Sequence, residues 1–259
     1  MRSLAQPING KWNLVPLKIE LQLFTQIAIL VDKYQCSEVV RLLPLIWKKE
    51  LLHTWTQSWT NIACWICIAW QFKQDDEFLK ATQLIQEQCV CSFEEILRLV
   101  TYSLPIPIFV ASKIEPSRLE GIGQAVQILN ATTTKYQSSS NNCNSTEVTK
   151  VLDSGGDRHR ISGDLSGHRK DCDSMVLGSL IKSAIRNDLF PLPRLPYTSW
   201  SLKSFTDRVA LLEAHTLCFK MSKRPSDEHE IISQLLRAIT AVDKSGLTLT
   251  TCGKVIMKT

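Results

Sequence analysis

The sequence of 259 residues predicts a mainly α-helical protein, a helical bundle or array with at most a short C-terminal β element. Three observations lead to this prediction. Apolar residues recur at steps of three and four along most of the chain, which is the spacing of one face of an α-helix. Residues that can cap a helix precede several of these segments. Alternating apolar and polar residues, typical of a strand, occur near the C-terminus at 246–252.

The N-terminal third predicts three helices. The first covers 17–34, and one face of it carries Leu17, Leu21, Phe24, Ile27, Ala28 and Val31. The second runs from Ser37, a candidate N-cap, to Leu51, with a kink or break at Pro44 because proline lacks the backbone donor. The third covers 58–72 and is apolar on nearly all sides, so we expect it at the centre of a core.

The middle of the chain predicts two more helices and then a linker. Asp75 opens a helix, since acidic residues favour its positive N-terminal end. Pro105 and Pro107 interrupt the helical pattern. A further helix spans 116–136, because proline suits a first helical position. Residues 137–171 are rich in Ser, Asn, Gly and charge, which predicts a flexible linker.

The C-terminal part again predicts helices. Order is expected to return at Cys172 with a short amphipathic helix. Helices are predicted over 201–221 and 226–242, the second with Ser226 as its capping residue. The alternating segment 246–252 then predicts one short strand.

Composition is that of an ordinary globular protein. Hydrophobic residues make up 44% and charged residues 21%, which excludes a collagen and a wholly disordered chain. The net charge of +5 is too small for a dedicated nucleic-acid binder. No segment has the apolar length of a secretory signal or a membrane span, so we expect an intracellular protein of cytoplasm or nucleus, with no membrane partner. Nine cysteines, an odd number, favour reduced thiols.

Two close cysteine pairs invite a redox interpretation. Cys64-Trp-Ile-Cys67 has the spacing of a catalytic dithiol, and a thiol redox protein using Cys64 and Cys67 is one alternative. The pair lies in the middle of an apolar helix, where no helix end favours a thiolate. We therefore interpret both residues as small buried hydrophobes, and Cys89 and Cys91 in the same way.

Metal and catalytic chemistry have weaker signals. Cys143, Cys172 and His229 are the candidate zinc ligands, but none belongs to a closely spaced pair, so the sequence predicts no metal and no cofactor. A zinc-stabilised or DNA-associated regulator is the alternative, and it requires these three to converge. The basic clusters at 158–160 and 168–170 are interleaved with aspartates, which makes nucleic acid an unlikely partner. No known catalytic motif is present, which predicts a protein that is not an enzyme.

A series of short motifs resembles one known family. Residues 23–36 read LFTQIAILVDKYQC and are followed by Trp47, and 9–16 read NGKWNLVP. Later come Cys143, then CDSMVLGSL at 172–180, DLFPLP at 188–193 and GLTL at 246–249. Together they resemble fungal proteins that carry an N-terminal BTB/POZ domain.

The resemblance implies an organisation in four parts. Residues 1–55 would be the residual C-terminal helices of a BTB-like region, 56–136 a helical extension, 137–171 the flexible linker and 172–259 a C-terminal helical region. The core of the BTB fold is absent from this sequence. The family also implies a His–Cys pair near the last helix, and this chain has His229 but Ile232 in the position of the cysteine.

The resemblance further implies a protein–protein interaction module, a scaffold or adaptor without catalysis. BTB domains self-associate and, in many proteins, recruit a cullin ubiquitin ligase. The helix at 17–34 would pack against BTB elements that this chain lacks. We therefore expect Leu21, Phe24 and Ile27 to form an exposed apolar face for self-association or a protein partner.

Overall fold

The computed structural model describes residues 15–56, 58–138, 142–143, 149–151, 158–160, 165–218 and 229–253. Its α-helices are α1 (Leu21–Tyr34), α2 (Leu43–Leu51), α3 (Trp59–Gln71), α4 (Asp75–Gln88), α5 (Phe93–Leu99), α6 (Ile108–Gln137), α7 (Leu165–Arg186), α8 (Leu202–Val209) and α9 (Ile231–Thr240). A 3-10 helix covers Leu52–Thr56. The strands β1 (Thr149–Val151) and β2 (Arg158–Arg160) pair antiparallel. The prediction of a mainly α-helical array is confirmed.

The chain forms two compact units. The first consists of Met1–Leu119 together with Lys244–Thr259, and the second consists of Glu120–Asp243. The boundary between Leu119 and Glu120 falls within α6. These limits differ from those of the four segments expected from the sequence.

Helix α3 is the centre of the first unit. Every residue from Ile62 to Gln71 is buried, as expected for a helix that is apolar all round. Ser58 caps its start by accepting a hydrogen bond from the backbone N–H of Asn61 at 3.1 Å. The indole N–H of Trp65 is bonded to Thr54 Oγ1 at 3.0 Å, so its polar edge is satisfied within the core.

The expected exposed face of α1 is covered. Leu21, Phe24 and Ile27 are all buried in the core of the first unit, where α1 packs against α3. The Phe24 ring lies edge-on to Trp47, with ring centroids 5.5 Å apart. The prediction that these residues form an open interaction surface is therefore wrong, because α3 and the ring of Trp47 cover this face of α1.

Three local predictions are corrected. The second helix begins at Leu43 rather than Ser37, and Pro44 lies in its first turn, where a missing N–H breaks no helical bond. Helix α6 begins at Ile108, before the proline at 116. Helix α7 begins at Leu165, inside the segment expected to be a linker, most of which lies outside the described residues.

The prediction of a short C-terminal strand is also wrong. Residues 246–248 are irregular and 249–252 form a turn instead, because side chains of α4 accept hydrogen bonds from several of their backbone N–H groups. The N–H of Leu247 bonds to Thr82 Oγ1 at 2.8 Å, and that of Leu249 bonds to Asp75 Oδ1 at 2.7 Å. The tail is thereby fixed to the first unit.

The second unit is built from the later part of α6 with α7, α8 and α9. Its apolar core includes Leu129, Leu180, Phe205 and Leu235, one from each of these helices. Helix α8 is shorter than predicted and ends at Val209. Helix α9 begins at Ile231, and the predicted cap Ser226 lies outside the described residues.

Candidate metal centre

Four potential ligands converge in the second unit. The sulfur atoms of Cys143, Cys172 and Cys218 and a ring nitrogen of His229 all lie within 4.8 Å of one another. The Cys143 and Cys218 sulfurs are 3.1 Å apart, and the Cys172 and Cys218 sulfurs are 3.6 Å apart. His229 Nε2 lies 3.5 Å from the sulfur of Cys172.

Each ligand comes from a different part of the unit. Cys143 lies in the chain after α6, and Cys172 lies on α7. Cys218 lies in the chain after α8, and His229 immediately precedes the first turn of α9. A small apolar cluster of Tyr136, Val176 and Ile231 joins α6, α7 and α9 close in sequence to three of these ligands.

Two serines of α7 align the chain that carries Cys218. Ser183 Oγ accepts a hydrogen bond from the backbone N–H of Glu213 at 3.0 Å, and Ser179 Oγ accepts one from His215 at 2.8 Å. These bonds hold the segment alongside α7. Cys218, farther along the same segment, therefore lies next to Cys172.

A carboxylate positions the chain that carries Cys143. Asp173 Oδ2 accepts a hydrogen bond from the backbone N–H of Asn142 at 2.7 Å. The Asn142 side chain donates to the carbonyl oxygen of Lys135 at 2.8 Å, near the end of α6. Because Asp173 follows Cys172 directly, the same turn of α7 supplies one ligand and fixes the neighbour of another.

The surroundings of the thiols favour metal binding over free thiolate. Cys143 and Cys172 are buried, while Cys218 and His229 are half-buried. Burial raises the pKa of the Cys172 thiol, although hydrogen bonds from the backbone N–H groups of Leu217 and Cys218 lower it. The same N–H groups stabilise a metal-bound thiolate, and a bound cation removes the thiol proton.

The geometry and donor types suit zinc. Zinc bonds of about 2.0–2.3 Å at tetrahedral angles place ligand atoms roughly 3.3–3.8 Å apart. The separations of 3.6 Å between Cys172 and Cys218 and of 3.5 Å between Cys172 and His229 lie in this range, the 3.1 Å between Cys143 and Cys218 is slightly shorter, and all pairs lie within 4.8 Å. Three thiolates and an imidazole select zinc over the hard cations Mg²⁺ and Ca²⁺. Four protein ligands fill a tetrahedral ion, which is typical of a structural site and leaves no position for a substrate.

The structure thus brings together Cys143, Cys172 and His229, the three ligands considered from the sequence. The fourth ligand, Cys218, was not predicted. The expectation of no metal rested on the lack of closely spaced pairs, but the fold assembles ligands from well-separated segments. Cys218 carried no signal beyond being a cysteine in the C-terminal region. Only the packing of its segment along α7 makes it a ligand.

The two close cysteine pairs, Cys64 with Cys67 and Cys89 with Cys91, lie in surroundings that disfavour a reactive thiolate. Cys64 and Cys67 are buried within α3, and burial raises the pKa of Cys64. The sulfurs of Cys89 and Cys91 are 3.4 Å apart, but burial raises the pKa of Cys89 to about 12. A reactive thiolate needs exposure and a lowered pKa, which neither Cys64 nor Cys89 has.

No protein-family model, curated protein or solved structure matches this chain. Among the described residues, no helix combines the length and the apolar character needed to cross a bilayer. The cluster of Cys143, Cys172, Cys218 and His229 is the feature of this chain that points to a function.

Proposed function

We propose that this chain is a zinc-stabilised helical protein without catalysis, in which Cys143, Cys172, Cys218 and His229 hold one Zn²⁺. The observation that carries the proposal is the approach of all four ligand atoms to within 4.8 Å of one another. Such a cluster of three sulfurs and an imidazole is the ligand set of a structural zinc site.

The role of the ion is to join the connecting segments to the helices. Cys143 and Cys218 come from chain segments outside the helices, and Cys172 comes from α7. Structural zinc in small zinc-finger peptides contributes an apparent binding free energy of about 10–16 kcal/mol. Even a fraction of that is large beside a domain stability of about 5–15 kcal/mol. We expect the second unit to depend on the ion for its stability.

Metal analysis tests this proposal. The purified full-length chain should contain about one zinc per molecule by mass spectrometry of the metal, and a strong chelator should lower its melting temperature. Cys172→Ser and Cys218→Ser should each lose the zinc. Cys252→Ser is the matched control, because this buried thiol belongs to the first unit. A chain purified without zinc that binds none on titration contradicts the proposal.

A second candidate function is self-association, which a different observation favours. In the first turn of α2, Leu45 and Ile46 are 53% and 43% exposed, and in the turn that precedes α2, Val39 and Leu42 are 42% and 52% exposed. These four apolar side chains lie close together in sequence and are all open to solvent. We propose that this apolar surface, rather than Leu21 and Phe24, is the interaction site of a scaffold-type protein.

Analytical ultracentrifugation tests the second function. The wild-type chain should sediment as a concentration-dependent dimer or larger species, and Leu45→Asp should shift it to the monomer. Leu211→Asp is the matched control, because Leu211 is 63% exposed in the second unit. A wild-type chain that is monomeric at all concentrations contradicts this candidate.

A further inference from the structure

A fifth potential ligand borders the metal centre. His168 lies on α7, and its Nε2 atom is 3.9 Å from the sulfur of Cys218. It precedes Cys172 by four residues, so both side chains project from the same face of the helix. His168 is half-buried, as His229 is.

The two imidazoles approach different sulfurs of the same pair. Cys172 and Cys218 are 3.6 Å apart, with His229 at 3.5 Å from the first and His168 at 3.9 Å from the second. The separation of His168 from Cys218 is close to the roughly 3.3–3.8 Å between atoms bound to one tetrahedral zinc ion. His168 thus borders the four-ligand cluster and lies within reach of one of its sulfurs.

We propose that His168 is the reserve ligand of this centre, able to replace His229 on the metal. The inference rests on the proposed zinc site. While His229 is bound, the neutral His168 ring donates a hydrogen bond from its Nε2–H group to the Cys218 thiolate. When His229 leaves, His168 releases the Nε2 proton to solvent, takes up one proton from solvent at Nδ1 and binds the metal through Nε2.

The placement of the two histidines gives the exchange a direction. His168 is fixed within α7, whereas His229 precedes α9 and is not itself in a helix. A ligand held by a helix that already carries Cys172 stays beside the ion when His229 moves away from it. The centre can then keep four protein ligands while His229 is released.

Titration of the full-length chain with Co²⁺ tests the proposal, because Co²⁺ in a tetrahedral thiolate site has intense visible absorption whose band positions report the ligand set. The variants are His229→Ala, His168→Ala and the double variant, with His53→Ala as the control, since His53 is exposed and belongs to the first unit. We expect His229→Ala to keep the band positions of the wild type. The double variant should bind Co²⁺ at least about tenfold more weakly than His229→Ala.

Two results overturn the reserve role. One is a His229→Ala spectrum shifted to that of three sulfurs and water. The other is an affinity of the double variant within less than tenfold of that of His229→Ala. If the double variant does not fold, the band positions of His229→Ala alone still test whether His168 replaces His229. A wild-type chain that binds neither Co²⁺ nor zinc instead contradicts the zinc proposal, so the two failures are distinguishable.

Discussion

The carboxylate of Asp173 and the backbone N–H of Asn142 form a 2.7 Å hydrogen bond that joins α7 to the residue before Cys143. The second oxygen, Oδ1, is buried and has no hydrogen-bond partner among the described residues. A buried carboxylate oxygen without a hydrogen-bond partner lowers the stability of the folded state. The hydrogen bond through Oδ2, and the position of Asn142 that it fixes, must offset this loss.

Removal of this carboxylate should weaken metal binding. Asp173→Ala leaves the Asn142 N–H without its acceptor and releases the chain that carries Cys143. Loss of a group that orients a ligand commonly lowers metal affinity by about 10–100-fold, and we expect that range here. Competition with a chromophoric zinc chelator measures it. Asp173→Asn retains an acceptor oxygen, so its zinc affinity should fall less. Asp207→Ala, on the exposed side of α8, should leave the zinc affinity unchanged.

Truncation of Phe24 should destabilise the first unit. Its side chain is fully buried and contacts the rings of Trp47 and Phe72, with centroids 5.5 and 5.7 Å away. Phe24→Ala should lower the free energy of unfolding by about 3–5 kcal/mol in urea titrations. Leu99→Ala, at a side chain that is 72% exposed at the end of α5, should change it by no more than about 0.5 kcal/mol. If Phe24→Ala changed the free energy of unfolding as little as the control variant, the prediction that Phe24 lies on an open face would stand instead.

Two glycines of the tail form a matched pair. Gly246 and Gly253 have positive φ angles of 75° and 77°. A Cβ at Gly246 would lie 2.7 Å from the carbonyl oxygen of Leu79, whereas one at Gly253 meets nothing within 4 Å. Both substitutions to alanine incur the left-handed backbone cost of about 1–2 kcal/mol. Only Gly246→Ala adds a clash with backbone, so thermal unfolding should show it to be the more destabilised variant.

The pKa of Cys89 predicts a loss of stability at high pH. Burial raises this pKa from 9.0 to about 12 in the folded protein. The folded state then keeps the proton that the unfolded chain releases, so the contribution to stability is complete below about pH 9 and is lost as the pH rises toward 12. The difference in unfolding free energy between wild type and Cys89→Ala should narrow from pH 8 to pH 11. A difference that stays constant over this interval contradicts the assignment. Cys36→Ala, at a half-buried site, is the control.

Local pattern located most of the helices, but it predicted neither several of their ends nor the surfaces that pack against them. The all-round apolar character of 58–72 correctly placed α3 at the centre, and it also explained Cys64 as a buried hydrophobe. The same pattern could not say which surface covers Phe24, because periodicity defines a face but not what packs on it. The tail shows the same limit, since its strand-like alternation is overridden by side-chain acceptors on α4 such as Thr82.

The metal cluster was predictable in part. Residue type and polar context singled out Cys143, Cys172 and His229, but the absence of close spacing argued against a site. Convergence of separated ligands is a tertiary property, and it depends here on Ser179, Ser183 and the packing of α7. Cys218 was missed because its neighbours in sequence have no ligand pattern.

The attachment of the C-terminal tail to α4 has a consequence for the order in which the protein matures. Leu247 and Leu249 bond to Thr82 and Asp75, yet they are separated from them by all of the second unit, Glu120–Asp243. A ribosome adds residues from the N-terminus onward. The first unit is therefore the first to be started and the last to be completed. During synthesis the Thr82 hydroxyl stays exposed to water until the residues that cover it have been added.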